Sequence, residues 1–247
     1  MTDPMYRTIL LVDIEQFGSR DDVEQAFLRR VLYDVVDATL VHAAVDETAC
    51  LRADRGDSVM ALIDTQVSVP ALAKTLLTET PALLHSKNRL LATTARMRLR
   101  IVLSSGYVAV DELDGWVGSD LNHAVRLLDS DVLRAALKQS DGDCVLCVSD
   151  DVYRGVVRHG PLGVRPDDFH RATVATKEGP TVAWLHGAPG RADSPGPGAD
   201  PAAPAGPGAP AGAAWTGTSV GRDQYGVSGG TVHGGVHFGP PAAGERR

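Results

Sequence analysis

The sequence predicts an α+β domain built on a central antiparallel sheet, and three features carry that expectation. Short apolar runs of strand length, such as Ile9-Leu10-Leu11-Val12 and Ile101-Val102-Leu103, are bounded by charged or turn residues. Longer segments between them place apolar residues at helical spacing. Several of the strand candidates are separated by a turn alone, so they are expected to pair as antiparallel neighbours.

Residues 7–14 (RTILLVDI) read as a buried strand ending in an acid. Residues 21–45 place Val23, Phe27, Val31, Val35 and Leu40 at helical spacing, and Asp21 and Asp22 suit the start of a helix. Residues 48–54 and 58–64 are two strands, with Arg55-Gly56 as the turn of a hairpin. A helix is expected over 69–84, with a break at Pro81. Strand 97–104 is followed by strand 107–110, which suggests a second hairpin at Ser105-Gly106. Helices follow at 119–129 and 131–138, a strand at 144–148, a helix at 150–158, and closing strands at 170–176 and 181–185.

Composition narrows the class. The chain has 247 residues, 43% hydrophobic and 22% charged, as in ordinary globular proteins. Three cysteines exclude a disulfide scaffold and fit a reducing compartment. No apolar run is long enough to span a bilayer. The start, MTDPMYRTILLVD, lacks the basic region and small-residue cleavage site of a secretory leader. A net charge of −7 argues against non-specific nucleic-acid binding. The expectation is therefore a cytoplasmic protein with neither membrane nor nucleic acid as partner.

The composition shifts once. Nine of the 15 prolines and 16 of the 26 glycines lie in residues 187–247, where four arginines balance four acids. Such a stretch buries too little apolar surface to offset the entropy of ordering it. The domain is therefore expected over residues 1–186, with a disordered Pro/Gly/Ala-rich linker at 187–213 and a Gly-rich low-complexity tail at 214–247.

Two constellations stand out in the folded part. Asp13 ends a hydrophobic strand, and Asp57 follows Gly56 in the hairpin LRADRGDSVMALI. Two acids at adjacent strand ends suit a hard divalent cation, since buried carboxylates need a partner; each alone is equally a strand-end or turn residue. The second is Asn122 with Arg126, four apart on one helix face, with Leu121, Val125 and Leu128 marking the core-seeking side. The Arg fork suits phosphate and the Asn amide a ribose or phosphoryl oxygen; a solvated polar face is the plain alternative.

In order, these pieces form Asp13-Ile14-x-x-Phe17, then Arg55-Gly56-Asp57-Ser58-Val59-Met60-Ala61, then Leu99-Arg100-Ile101-Val102 with Ser105-Gly106-Tyr107-Val108. The series ends on Gly118-x-x-Leu121-Asn122-x-Ala124-x-Arg126-Leu127. It resembles the class III nucleotidyl cyclase catalytic domain (the adenylate/guanylate cyclase homology domain) over about residues 6–186. The hairpin at 53–57 and the segment Lys177-Glu178-Gly179-Pro180-Thr181-Val182-Ala183-Trp184 resemble an actinobacterial cyclase-like branch. The resemblance implies a ferredoxin-like βαββαβ core and conversion of a nucleoside triphosphate to a 3′,5′-cyclic mononucleotide plus pyrophosphate, in signalling or conflict systems. It implies that Asp13, Asp57 and the Ile14 carbonyl hold two Mg²⁺ or Mn²⁺ ions, that Asn122 orients the ribose, and that Arg126 stabilises charge at the α-phosphate. It also implies a head-to-tail homodimer in which the acids and the Asn/Arg pair meet across the interface. A binding module without turnover, which senses a nucleotide and dimerises, is the alternative it leaves open.

Departures lie where the family selects its base. Ala53 and Gly115 occupy the positions of its usual base-reading Lys and Asp, with Asp114 and Asp120 nearby but out of register. A pyrimidine substrate is therefore open as well as a purine, and Arg52, Asp54 and Arg55 are candidates for the missing contacts. Asp120 is retained as a candidate nucleotide contact and Lys177 as a candidate triphosphate ligand. The tail segment WTGTSVGRDQYGVSGGTVHGGVHF alternates small or polar residues with Val, Tyr and Phe. It resembles amyloid-type signalling motifs, which implies recruitment of an effector through residues 214–247. Cys144 and Cys147 are expected on opposite faces of one strand, which speaks against zinc.

Overall fold

The computed structural model describes residues 3–113 and 115–187, all within one compact unit. Eight strands form one sheet: β1 (Met5–Ile14), β2 (Cys50–Asp54), β3 (Ser58–Ile63), β4 (Leu99–Val110), β5 (Trp116–Val117), β6 (Cys144–Ser149), β7 (Phe169–Thr176) and β8 (Gly179–His186). Their order is β2-β3-β1-β4-β6-β8-β7, with short β5 on β4. The helices are α1 (Asp22–His42), α2 (Val69–Asn88), α3 (Ser119–Leu128), α4 (Asp131–Gln139) and α5 (Asp150–Gly155). The first six elements run β1-α1-β2-β3-α2-β4 with sheet order β2-β3-β1-β4, which is the βαββαβ ferredoxin-like arrangement. The sheet is antiparallel except for the pair β4–β6.

Strand alternation splits the core in two. Leu10, Val12 and Ile14 of β1, with Leu99, Ile101 and Leu103 of β4, face α1, α2 and α5. Ile9 and Leu11 of β1, with Val102 of β4, face α3 and α4. The same alternation puts Cys144 against the first cluster and Cys147 in the second, as expected. Burial pushes both thiols up to about 12, so they stay protonated and inert.

Helix starts follow the residues that cap them. Asp21 accepts hydrogen bonds from the backbone amides of Val23 (3.0 Å) and Glu24 (2.8 Å), and Ser130 accepts from Leu133 (3.2 Å). Two local expectations are corrected. Pro81 does not break α2, which continues to Asn88. Leu76, Thr80 and Leu84 on either side of it are buried, and the Thr80 hydroxyl pairs with Thr39 of α1 at 2.9 Å, so packing outweighs one lost backbone hydrogen bond. Nor is there a hairpin at Gly106: β4 runs through it, opposite Arg7 of β1.

The linker expected at 187–213 and the tail expected at 214–247 lie, but for Gly187, outside the described residues, and so does Asp114. Among the described residues no helix is long and apolar enough to cross a membrane.

His186 closes β8 with its ring edge-on to Phe169, centroids 5.2 Å apart. Desolvation holds its pKa below the ordinary value. The folded chain therefore resists a proton that the unfolded chain accepts near pH 6.5, so stability is complete above about pH 6.5 and lost as the pH falls towards the folded value. His186→Asn is expected to flatten that part of the acid slope in thermal melts between about pH 7 and 5; an unchanged slope would refute it.

Candidate active site

One end of the sheet pairs Asp13 with a buried guanidinium and brings two further acids within electrostatic reach of it. Asp13 sits on the α3/α4 side of β1, directly across from Arg100 on β4 and Ser58 on β3. The hairpin turn beyond β2 brings Asp57 alongside: the Ile14 amide donates to the Asp57 carbonyl oxygen at 3.1 Å. Gly56 has φ +86°, in the left-handed region, and its amide donates to the Asp54 carboxylate at 2.8 Å. The turn is thus set by Asp54 and Gly56, which leaves the Asp57 side chain uncommitted to the turn.

Arg100 donates to the Asp13 carboxylate and to the Leu128 carbonyl oxygen, 3.4 Å away at the end of α3. Both side chains are nearly enclosed, at 9% exposure for Asp13 and 12% for Arg100. Burial raises the Asp13 pKa to about 6; Arg100 opposes the rise, and the charges of Asp57 and Asp129 add to it. The Arg100 Nε is buried without a hydrogen-bond partner. A buried guanidinium with one unpaired nitrogen against Asp13, whose charge also feels Asp57 and Asp129, is the electrostatic core of the site.

Arg100 stands within the Leu99-Arg100-Ile101-Val102 motif with no role implied by the resemblance, and Asp129 carries no sequence signal of its own. The signal for Arg100 was available: a charge alternating with Leu99 and Ile101 in an apolar strand requires a buried partner. The nearness of Asp129 to Asp13 comes from how α3 packs on the sheet.

Asn122 is exposed on α3, and Arg126 lies one turn later. The core side of that helix is Leu121, Ala124, Leu127 and Leu128, with Val125 only partly buried. Arg126 does not join the acid cluster. Both terminal nitrogens of its guanidinium donate to the carboxylate of Glu178, in the two-residue turn between β7 and β8. That turn lies at the sheet edge opposite the β2–β3 hairpin that carries Asp57. Lys177, in the same turn, is exposed. Asp120 accepts a hydrogen bond from the Tyr107 amide at 2.7 Å and so pins the start of α3 to β4. Arg52 and Asp54 are paired with Asp37 and Arg29 of α1, while Ala53 between them packs in the α3-side cluster.

Two glycines make the α3–β4 approach close. A Cβ on Gly106 would sit 2.2 Å from the Asp120 Cβ, and one on Gly118 would sit 2.6 Å from the Tyr107 carbonyl oxygen. Gly118 has φ 175°, so space rather than backbone strain is what it supplies. Gly106→Ala and Gly118→Ala are each expected to destabilise the domain by about 1–3 kcal/mol in urea melts. A loss below about 0.5 kcal/mol would mean that α3 can move away freely.

No protein-family model matches the sequence, and a search of curated proteins finds no match. Solved structures do match. The guanylyl cyclase Cya2 is 17% identical with a TM-score of 0.52, over 77% of this chain and 95% of that one. An adenylate/guanylate cyclase/hydrolase from Silicibacter pomeroyi is 15% identical with a TM-score of 0.53, over 76% and 99%. A bacterial light-regulated adenylyl cyclase is 16% identical with a TM-score of 0.53, over 77% and 94%. The fold is that of a nucleotide cyclase domain. The structures it matches are covered almost end to end.

Proposed function

We propose that this cyclase-like domain is a metal-dependent nucleotide cyclase, converting a nucleoside triphosphate to a 3′,5′-cyclic mononucleotide and pyrophosphate. The observation that supports it most is the convergence of Asp13, Ile14 and Asp57 from two separate strand ends in a cyclase-type fold.

The donor set is oxygen only, two carboxylates and the Ile14 carbonyl, and so fits Mg²⁺ or Mn²⁺ by type. Among the described residues no three His, Cys, Asp or Glu side chains group as a metal cage, so the metal ions would also draw on the substrate phosphates, as Mg²⁺ commonly does. Such ions, two per site, supply acidification of the ribose 3′-hydroxyl and screening of the triphosphate. Arg100 neutralises Asp13 in their absence, and its fork is placed to turn from that carboxylate to a phosphate. Asn122 orients the ribose and Arg126 stabilises charge at the α-phosphate. Lys177 meets the triphosphate, and Asp120, as a nucleotide contact, also holds α3 in place.

Arg126 and Asp57 lie towards opposite edges of one sheet. A head-to-tail homodimer resolves this, because each chain then lends its Asn122 and Arg126 to the other's acids. The three structural relatives are named for guanylyl, adenylyl or both activities, so the test covers every base: purified full-length protein with Mn²⁺ and each of the four ribonucleoside triphosphates. A cyclic product from at least one is expected. Nucleotide binding without product, at high protein concentration, would favour the sensing module instead.

A further inference from the structure

We propose that Glu178 is a built-in competitor for the substrate's phosphates, which occupies Arg126 until a triphosphate displaces it. The inference rests on the cyclase reading of Arg126 and adds a residue that sets how tightly the nucleotide is held.

A carboxylate presented side-on to a guanidinium fork forms two parallel hydrogen bonds, the same geometry that two phosphoryl oxygens adopt. Glu178 does this with both terminal nitrogens of Arg126. The pairing holds the Glu178 carboxyl below the usual carboxylate range and the Arg126 guanidinium above its own. While it lasts, the two-pronged end of Arg126 is taken, and a phosphate can pair with that end only by displacing Glu178.

Glu178 is held in place by its turn. β7 and β8 pair as far as Thr176 opposite Gly179. The Thr176 hydroxyl donates to the Gly179 carbonyl oxygen at 2.6 Å and accepts from the Glu178 amide at 3.3 Å. Gly179 has φ +113°, which favours glycine. These contacts fix the backbone of a two-residue turn whose side chains are one anion, Glu178, and one cation, Lys177. The turn therefore carries both the group that occupies Arg126 and a group of the sign that attracts its replacement.

The pair is also weak enough to open. The Glu178 side chain is 71% exposed and that of Arg126 35% exposed, so water and salt screen their attraction. A triphosphate brings several negative charges against the one of Glu178. On opening, the Glu178 carboxylate passes into water at little cost, and Arg126 gains a more highly charged acceptor.

The experiment compares wild type, Glu178→Gln and Glu178→Ala for binding of a non-cyclisable triphosphate analogue with Mn²⁺, and for KM and kcat with the best substrate. Both variants are expected to bind the analogue about two- to fivefold more tightly and to lower KM by a similar factor, the range of a released surface ion pair. kcat and melting temperature should stay nearly unchanged. Raised salt should narrow the difference between wild type and variants, because it weakens the competitor in the wild type. If both variants bind equally or more weakly, or if kcat falls while KM holds, Glu178 positions Arg126 and the competitor role is overturned, with the cyclase reading intact. If neither wild type nor variants bind any triphosphate, the cyclase reading itself fails and the competitor role falls with it.

Discussion

Asp57→Asn is expected to lower cyclase turnover by on the order of a thousandfold, the rate equivalent of several kcal/mol of charge stabilisation. The amide keeps the size of the side chain, and the hairpin does not depend on the carboxylate. Its turn rests on Asp54 and Gly56, and Ile14 bonds the Asp57 backbone carbonyl rather than its side chain. The variant should therefore fold and melt like the parent, so that lost turnover reports lost cation affinity. Arg126→Ala should be comparably inactive for a different reason, the loss of the donor fork at the α-phosphate. Mixing the two inactive variants in equal amounts tests the dimer. Random pairing makes half the dimers mixed, each with one intact and one doubly impaired site, so about a quarter of the wild-type rate per chain should return. Persistent inactivity of the mixture would exclude a site shared between chains, and full turnover by Asp57→Asn alone would remove the acid from the mechanism.

Arg100→Met is expected to cost about 3–5 kcal/mol of stability, because it strands the Asp13 carboxylate in a buried site. Asp13 keeps two other acids nearby, Asp57 and Asp129, whose charges already push its pKa upward against the pull of Arg100. Asp13→Leu alone should cost a similar amount by stranding the guanidinium, whose Nε has no hydrogen-bond partner even in the parent. The double replacement Asp13→Leu/Arg100→Met should regain most of the loss, since an apolar pair of similar volume suits a position next to Ile101 and Val102. The double-mutant cycle in urea would then give a coupling of about 5–8 kcal/mol, the summed single losses less the small residual loss of the double. Additive single effects would show that the two groups do not face each other out of water.

The fate of each sequence expectation followed from how local its cause was. Asp21 announces α1 because its carboxylate bonds amides two and three residues on, and β1 is legible because its apolar run is of strand length and is bounded by Arg7 and Asp13. Asp13 was legible as unusual because an acid ending such a run must be paired. By contrast, the turn expected at Gly106 is absent: Gly106 lies mid-strand because α3 needs the space where its Cβ would be, and nothing in residues 97–110 signals a helix arriving from Ser119 onwards. Pro81 stands inside α2 for a similar reason, as a buried face holds both halves on the sheet.

The residue spacing and chemistry of the chain alone determined the α+β class, most helix and strand positions, and the candidate pairs Asp13/Asp57 and Asn122/Arg126, since each depends on neighbours within a few residues, while Ile14, Asp120 and Lys177 entered through the resemblance to the cyclase family. Tertiary structure alone decided the partners. Arg100 meets Asp13 across 87 positions, and Glu178 meets Arg126 across 52. Charges so far apart in sequence leave no periodic trace, and only strand register and helix packing bring them within reach of one another.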